Sequence, residues 1–241
     1  MNGNAASAGY GTAAWNYNAG SMPAPAILSI DAGANVMDAG EAAEKVKRCI
    51  DVALAFLAIA VTLPLWGIIA LAIKLTSRGP VFFTQERSGL FGRPFRMFKF
   101  RSMVADAEDR LRELVKIEEL ADPVYKLKND PRVTPVGRFL RRFGLDELPQ
   151  LLNVLRGEMS LVGPRPEVVA LVERYDARQR RRLLVKPGIT GYQQVHNRGM
   201  PNMTERLKYD LYYLHNRSAP LDFWIMAMTV FVIASGREIT Y

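Results

Sequence analysis

The chain reads as an α+β protein: a small, mostly helical, membrane-associated domain with a short β-hairpin and an N-terminal re-entrant membrane helix-break-helix. Three observations predict this. Residues 52–73 (VALAFLAIAVTLPLWGIIALAI) run for 22 positions without a formal charge, enough at about 1.5 Å per residue to reach across a bilayer core. Pro64 stands in the middle of that run, where it removes a helical hydrogen bond and presses on the preceding turn. Downstream, two aromatic-rich runs flank a glycine turn, and the remainder alternates brief helical patterns with Pro/Gly loops.

In chain order, residues 1–44 are rich in Ala, Gly, Asn and Ser and lack a sustained apolar period. They are expected to form a disordered tail, not a secretory signal, because no basic stretch precedes an apolar one. Residues 45–78 form the membrane segment. Lys45, Lys47 and Arg48 precede its apolar run and Lys74 and Arg78 follow it, so the positive-inside rule favours neither end. A re-entrant hairpin with both ends in the cytoplasm accommodates all five charges; a proline-kinked single span is the alternative these features leave open.

Residues 80–84 and 95–100 read as the strands of a hairpin, with the turn at Gly89 to Gly92. Strand alternation puts Lys99 and Arg101 on a wet face and Phe98 and Phe100 on the other. Residues 105–120 have helical spacing, with Leu111, Val115 and Ile117 on one side and a solvated charged face opposite. Two more helices are expected at 147–155 and 167–184. The second ends in Arg178, Arg180, Arg181 and Arg182, which suit a helix C-terminus or an anionic lipid surface. Residues 223–234 are apolar but too short to span, and read as an interfacial helix with Trp224 near the head groups.

Composition narrows the function classes. A chain of 241 residues with 49% apolar residues can bury a real core in one domain. The single Cys49 rules out a disulfide framework, and two histidines without a CxxC or HExxH pattern disfavour a zinc site. The first 44 residues hold no Lys or Arg and four of the 24 acids, so the rest carries all 32 cations against 20 acids, a formal charge of +12. Such a body expects an acidic partner: nucleic acid, anionic lipid or a phosphorylated small molecule. No recognisable nucleic-acid module is present. The GxxxxGK[ST], GxGxxG and DxD nucleotide signatures are also missing.

Short rigid stretches remain as sites for chemistry. In Gly144-Leu145-Asp146-Glu147-Leu148-Pro149, two adjacent carboxylates open a helix. Asp146 there is either an N-cap or an ionised carboxylate able to act as nucleophile or magnesium ligand. In Gly163-Pro164-Arg165-Pro166, the prolines present Arg165 from a stiff extended loop, suited to bidentate phosphate binding, although a solvated arginine in a Pro-rich turn has the same sequence. Lys186-Pro187-Gly188 reads as a type II turn. Lys99 and Arg101 lie on the basic strand Phe98 to Met103.

Taken together, Lys47-Arg48 before an apolar run broken at Pro64, then GPVFFTQERSG, FKFRSM, DPRVTPVGRFLRR, LDELPQLLNVLRGEMSLVGPRP and KPGITGYQQV, resemble the monotopic bacterial phosphoglycosyl transferases, the sugar transferases that start lipid-linked glycan assembly. The resemblance covers about residues 45–241. It implies a catalytic domain over residues 79–241 at the cytoplasmic face of the bacterial inner membrane. The implied reaction moves a sugar 1-phosphate from a UDP-sugar to polyprenyl phosphate with magnesium, releasing UMP and initiating exopolysaccharide or related glycan synthesis. By the same resemblance Asp146 is the nucleophile that forms a covalent phosphosugar intermediate, Glu147 its partner carboxylate and fellow metal ligand, and Lys99, Arg141 and Arg165 the phosphate-holding cations. The family's serine before the membrane proline is Leu63 here, with Thr62 one step earlier.

The chemistry is consistent with that resemblance, since a carboxylate can approach two anionic substrates only where cations offset the repulsion. Two other classes stay open at this point: a basic membrane-anchored adaptor without catalysis, and a glycosyltransferase that releases UDP. No motif reads a hexose hydroxyl or sets an oligomeric state.

Overall fold

The protein is described here by a computed structural model, which covers residues 40–114, 120, 127, 130–196 and 202–235. Nearly all of the expected tail lies outside the described residues, as do Val115 and Ile117.

Helix α1 (Glu41–Thr76) runs unbroken for 36 residues with Pro64 inside it, so the expected division into two half-helices is not present as an interruption. Proline deletes one donor, and the neighbouring groups are locally engaged. The Thr62 hydroxyl donates to the Ala58 carbonyl at 2.6 Å, and the Trp66 indole donates to that hydroxyl at 3.1 Å. Asp51, Ala55, Trp66, Ile69 and Ile73 are buried along one stripe at helical spacing. Phe56, Leu57, Val61, Leu63, Ile68 and Leu71 are exposed. By length and composition α1 is long and apolar enough to cross a membrane.

Both ends of α1 are fastened to the same body. Near its start, Arg48 donates to the carbonyls of Val154 and Leu155 at 2.5 and 2.9 Å, adding donors at the end of helix α4 (Gln150–Arg156). At its exit, Arg101 donates to the carbonyls of Ser77 and Arg78 at 2.9 and 2.6 Å. Arg101 is only 5% exposed, which corrects its expected place on a wet strand face: a guanidinium can be buried where carbonyls await it.

The hairpin forms as expected but with a longer first strand. β1 (Phe82–Ser88) pairs antiparallel with β2 (Pro94–Phe100), Phe82 opposite Phe100 and Ser88 opposite Pro94. Helix α2 (Ala107–Leu114) follows, and then α3 (Pro135–Arg142), capped by the Thr134 side chain with proline in its first turn. After α4, strand β3 (Ser160–Val162) pairs in parallel with β4 (Gly188–Thr190). The expected Pro-Gly turn is thus the start of a strand. The pairing needs glycine, because a Cβ on Gly163 would fall 2.4 Å from the Lys186 carbonyl oxygen.

The helix expected over 167–184 is divided. Helix α5 (Val169–Glu173) ends, and a 3-10 turn resumes at Gln179–Leu184. Between them Asp176 and Gln179 exchange side-chain-to-amide hydrogen bonds at 2.7 and 3.1 Å, a reciprocal cap that restarts the chain. Helices α6 (Tyr192–His196), α7 (Met203–Asn216) and α8 (Ala219–Ala234) complete the described fold. α8 is too short to span a bilayer. The Trp224 ring lies 6.1 Å from that of Tyr192, and Thr229 is hydrogen-bonded to Thr190 of β4 at 2.7 Å. One core joins Ala55 of α1 to Phe95 and Met97 of β2 and Leu151 and Val154 of α4, and another joins Trp66, Ile69 and Ile73 to Phe100 and Leu140. The membrane segment is therefore part of the body that carries the site.

Candidate active site

The site begins where α3 stops. Gly144 takes a left-handed conformation (φ 66°), and Leu145–Glu147 form a 3-10 turn ahead of α4 with no side-chain cap. Asp146 is therefore not the helix cap that its position in the sequence invites. It is 1% exposed and Glu147 is 5% exposed, and Asp146 Oδ1 is buried without a hydrogen-bond partner. A buried carboxylate oxygen left bare calls for a functional explanation.

Glu147, by contrast, is heavily engaged. Its Oε1 accepts from Lys99 Nζ at 2.7 Å and from Arg165 Nη2 at 3.1 Å. Three residues predicted from distant stretches thus meet at one oxygen. Arg141 lies beside them: its Nε donates to Ser102 Oγ at 3.2 Å, and its charge acts on Asp146. That placement depends on Gly137, where a Cβ would be 1.8 Å from the Ser102 carbonyl oxygen; only glycine lets α3 lie so close to the end of β2.

Burial pushes the Asp146 carboxyl up to about 6, against the pull of Lys99, while Glu147 raises it further. Burial would raise Glu147 too, but Lys99 and Arg165 outweigh it and hold this carboxyl at about 2. Burial also lowers Lys99, against the pull of Glu147. Two adjacent carboxylates are thus driven apart, one held firmly ionised and the other poised.

A cavity of about 720 Å³ opens over this cluster. Lys99, Arg141, Glu147 and Arg165 stand in its wall together with Ala58 of α1, Leu151 of α4, and Met226 and Val230 of α8. Asp146, buried, is not part of the wall. The space joins a cationic patch to apolar side chains of the two most lipophilic helices.

The site also fits the expected divalent cation. Among the described residues no group of three or more His, Cys, Asp and Glu side chains could hold an ion. A metal here would rest on Asp146 and Glu147 and borrow substrate phosphate oxygens, the usual manner of magnesium. The bare Asp146 Oδ1 is the observation that favours it.

Sequence reasoning missed Asn153, which is fully buried. Its Oδ1 accepts from the Phe98 amide at 3.0 Å and its Nδ2 donates to the Arg96 carbonyl at 2.7 Å. It ties α4 to the backbone of β2 one residue before Lys99, and so sets Lys99 opposite Glu147. A lone Asn in an apolar helical run (LLNVL) is the signal for it, since a buried amide must find partners.

The cluster is a buried carboxylate pair, one member held by Lys99 and Arg165 at the wall of a cavity that an apolar helix helps to line. The chain belongs to the bacterial sugar transferase family, which matches residues 42–236. It is 43% identical over 197 residues to the UDP-glucose:undecaprenyl-phosphate glucose-1-phosphate transferase of Escherichia coli, covering 77% of this chain and 39% of that one. It is 42% identical over 174 residues to the galactosyl transferase CpsE of Streptococcus agalactiae, with 70% and 39% covered. Against the exopolysaccharide production protein ExoY of Sinorhizobium fredii it is 38% identical over 195 residues, covering 79% of this chain and 86% of the relative. The chain thus spans about two-fifths of the first two relatives and most of the third.

Proposed function

We propose that the protein transfers a sugar 1-phosphate from a UDP-sugar to polyprenyl phosphate, releasing UMP and initiating exopolysaccharide or related glycan synthesis. The observation that carries this reading is the divided state of the carboxylate pair: Glu147 bound to Lys99 and Arg165, Asp146 bare at Oδ1. Relatives named for glucose-1-phosphate and galactose phosphate transfer to undecaprenyl phosphate supply the substrate classes.

In the first half-reaction Arg165, Lys99 and Arg141 hold the donor diphosphate, and Asp146 attacks the phosphorus that bears the sugar. The bond from that phosphorus to the UMP oxygen breaks, UMP leaves, and a phosphosugar remains on Asp146. This requires the buried Asp146 side chain to turn into the cavity. In the second, a phosphate oxygen of the polyprenyl acceptor attacks the same phosphorus and frees Asp146. Magnesium held by Asp146 and Glu147 would offset the phosphate charge when bound.

The apolar part of the cavity, between α1 and α8, suits an acceptor that arrives from the bilayer. The fastening of both ends of α1 to one body supports a segment that enters and leaves the membrane on one side, which this reading takes as the cytoplasmic one, with its exposed face toward lipid. The nucleotide released tests the reading: UMP supports it, UDP marks glycosyl transfer, and neither marks an adaptor.

A further inference from the structure

We infer that Arg182, the end of the basic run between α5 and β4, is a positioning residue that holds the Arg165 loop in register with Glu147. The run resembles a surface for anionic lipid, but Arg182 is only 4% exposed. Its Nη2 donates to the backbone carbonyl of Arg165 at 3.1 Å and lies 2.8 Å from Asp210 Oδ2, while Nη1 donates to the Tyr175 hydroxyl at 2.8 Å and lies 3.6 Å from Glu167. Arg182 thereby joins α7 to the loop that presents Arg165.

The loop shows why that bond matters. Four consecutive carbonyls are each taken by a different donor: Pro164 by the Gly188 amide at 2.9 Å, Arg165 by Arg182, Pro166 by Arg87 Nη1 at 3.3 Å, and Glu167 by the Ser88 amide at 2.9 Å. Two of these come from the backbones of β1 and β4 and are indifferent to side chains. The bond to the Arg165 carbonyl itself depends on Arg182. A guanidinium can span Asp210, Tyr175 and that carbonyl at once because its donors are fixed in a plane; an ammonium cannot. Burying this charge is costly, and its Nε is left without a hydrogen-bond partner, so the arrangement exchanges stability for a fixed Arg165.

The inference rests on the reading of Arg165 as a phosphate clamp, and a double-mutant cycle separates the two. UMP release is followed for the full chain in detergent, with UDP-glucose or UDP-galactose, undecaprenyl phosphate and magnesium. Arg165→Lys and Arg182→Lys should each lower kcat/KM about tenfold or more, and the double variant should stay within about threefold of Arg165→Lys, because residues acting as a unit are not additive. Should Arg182→Lys fail to fold, Tyr175→Phe removes one arm only and enters the same cycle. Losses that multiply, or native turnover in Arg182→Lys, overturn the positioning role while leaving the clamp intact. Native turnover in Arg165→Lys overturns both.

Discussion

Asp51, deep in the first helix, accepts the backbone amide of Leu161 in β3 at 3.1 Å, across 110 residues of sequence. A carboxylate 5% exposed at the start of the apolar run is there to fasten that helix to the body. Asp51→Leu strands the amide and should lower stability by about 1–3 kcal/mol. Asp51→Asn keeps an acceptor and should cost less. Thermal unfolding in detergent compares the two, and equal midpoints would contradict the role.

The fastening of both helix ends predicts topology. With Cys49 replaced, Gly40→Cys and Arg78→Cys should both resist an impermeant thiol reagent added outside intact cells and both react after lysis. Labelling of either from outside contradicts a segment that returns to the cytoplasm. Pro64→Ala restores a donor for the carbonyl of Ala60, and should lower activity by stiffening the helix against the body it must follow.

Asn153→Ala tests how the site is held. It removes both bonds to β2 and should lower stability by about 2–4 kcal/mol. Turnover measured well below the unfolding midpoint should fall as well, because Lys99 is no longer held against Glu147. Full turnover in the folded variant would show that the hairpin finds its place without it.

Much of this was legible beforehand, and what was not has a physical cause. The apolar run and the hairpin follow from patterns local to short stretches, while the grouping of Lys99, Glu147 and Arg165 follows from the family resemblance. The destinations of Arg101 and Arg182 do not, because strand alternation and charge clustering describe a surface, while their acceptors lie on distant elements. Gly188 reads as a turn in the sequence because its parallel partner, Ser160, is 28 positions away. The break in the 167–184 helix was readable: Asp176-Ala177-Arg178-Gln179 has the spacing of a reciprocal cap. Asp146 does not cap α4, because that helix begins later, at Gln150.

Chelation and Glu147→Gln test the metal. Removing divalent ions with EDTA should abolish UMP release, and magnesium should restore it. Glu147→Gln keeps the shape but loses a charge beside Lys99 and Arg165, and should slow turnover at least tenfold while raising the magnesium needed for half-maximal rate. An unchanged magnesium requirement would remove Glu147 from the metal site.

The covalent step on Asp146 is read out by single-turnover chemistry without acceptor. Enzyme mixed with UDP-sugar and magnesium, but no polyprenyl phosphate, should release at most about one equivalent of UMP and gain the mass of a phosphosugar. Intact-protein mass and peptide mapping should place that mass on Asp146. Asp146→Asn keeps the size of the side chain, and no cap bond is at stake, so it should fold normally and show neither UMP burst nor mass gain. A normal burst from folded Asp146→Asn, or UDP released by the native chain, would contradict the account.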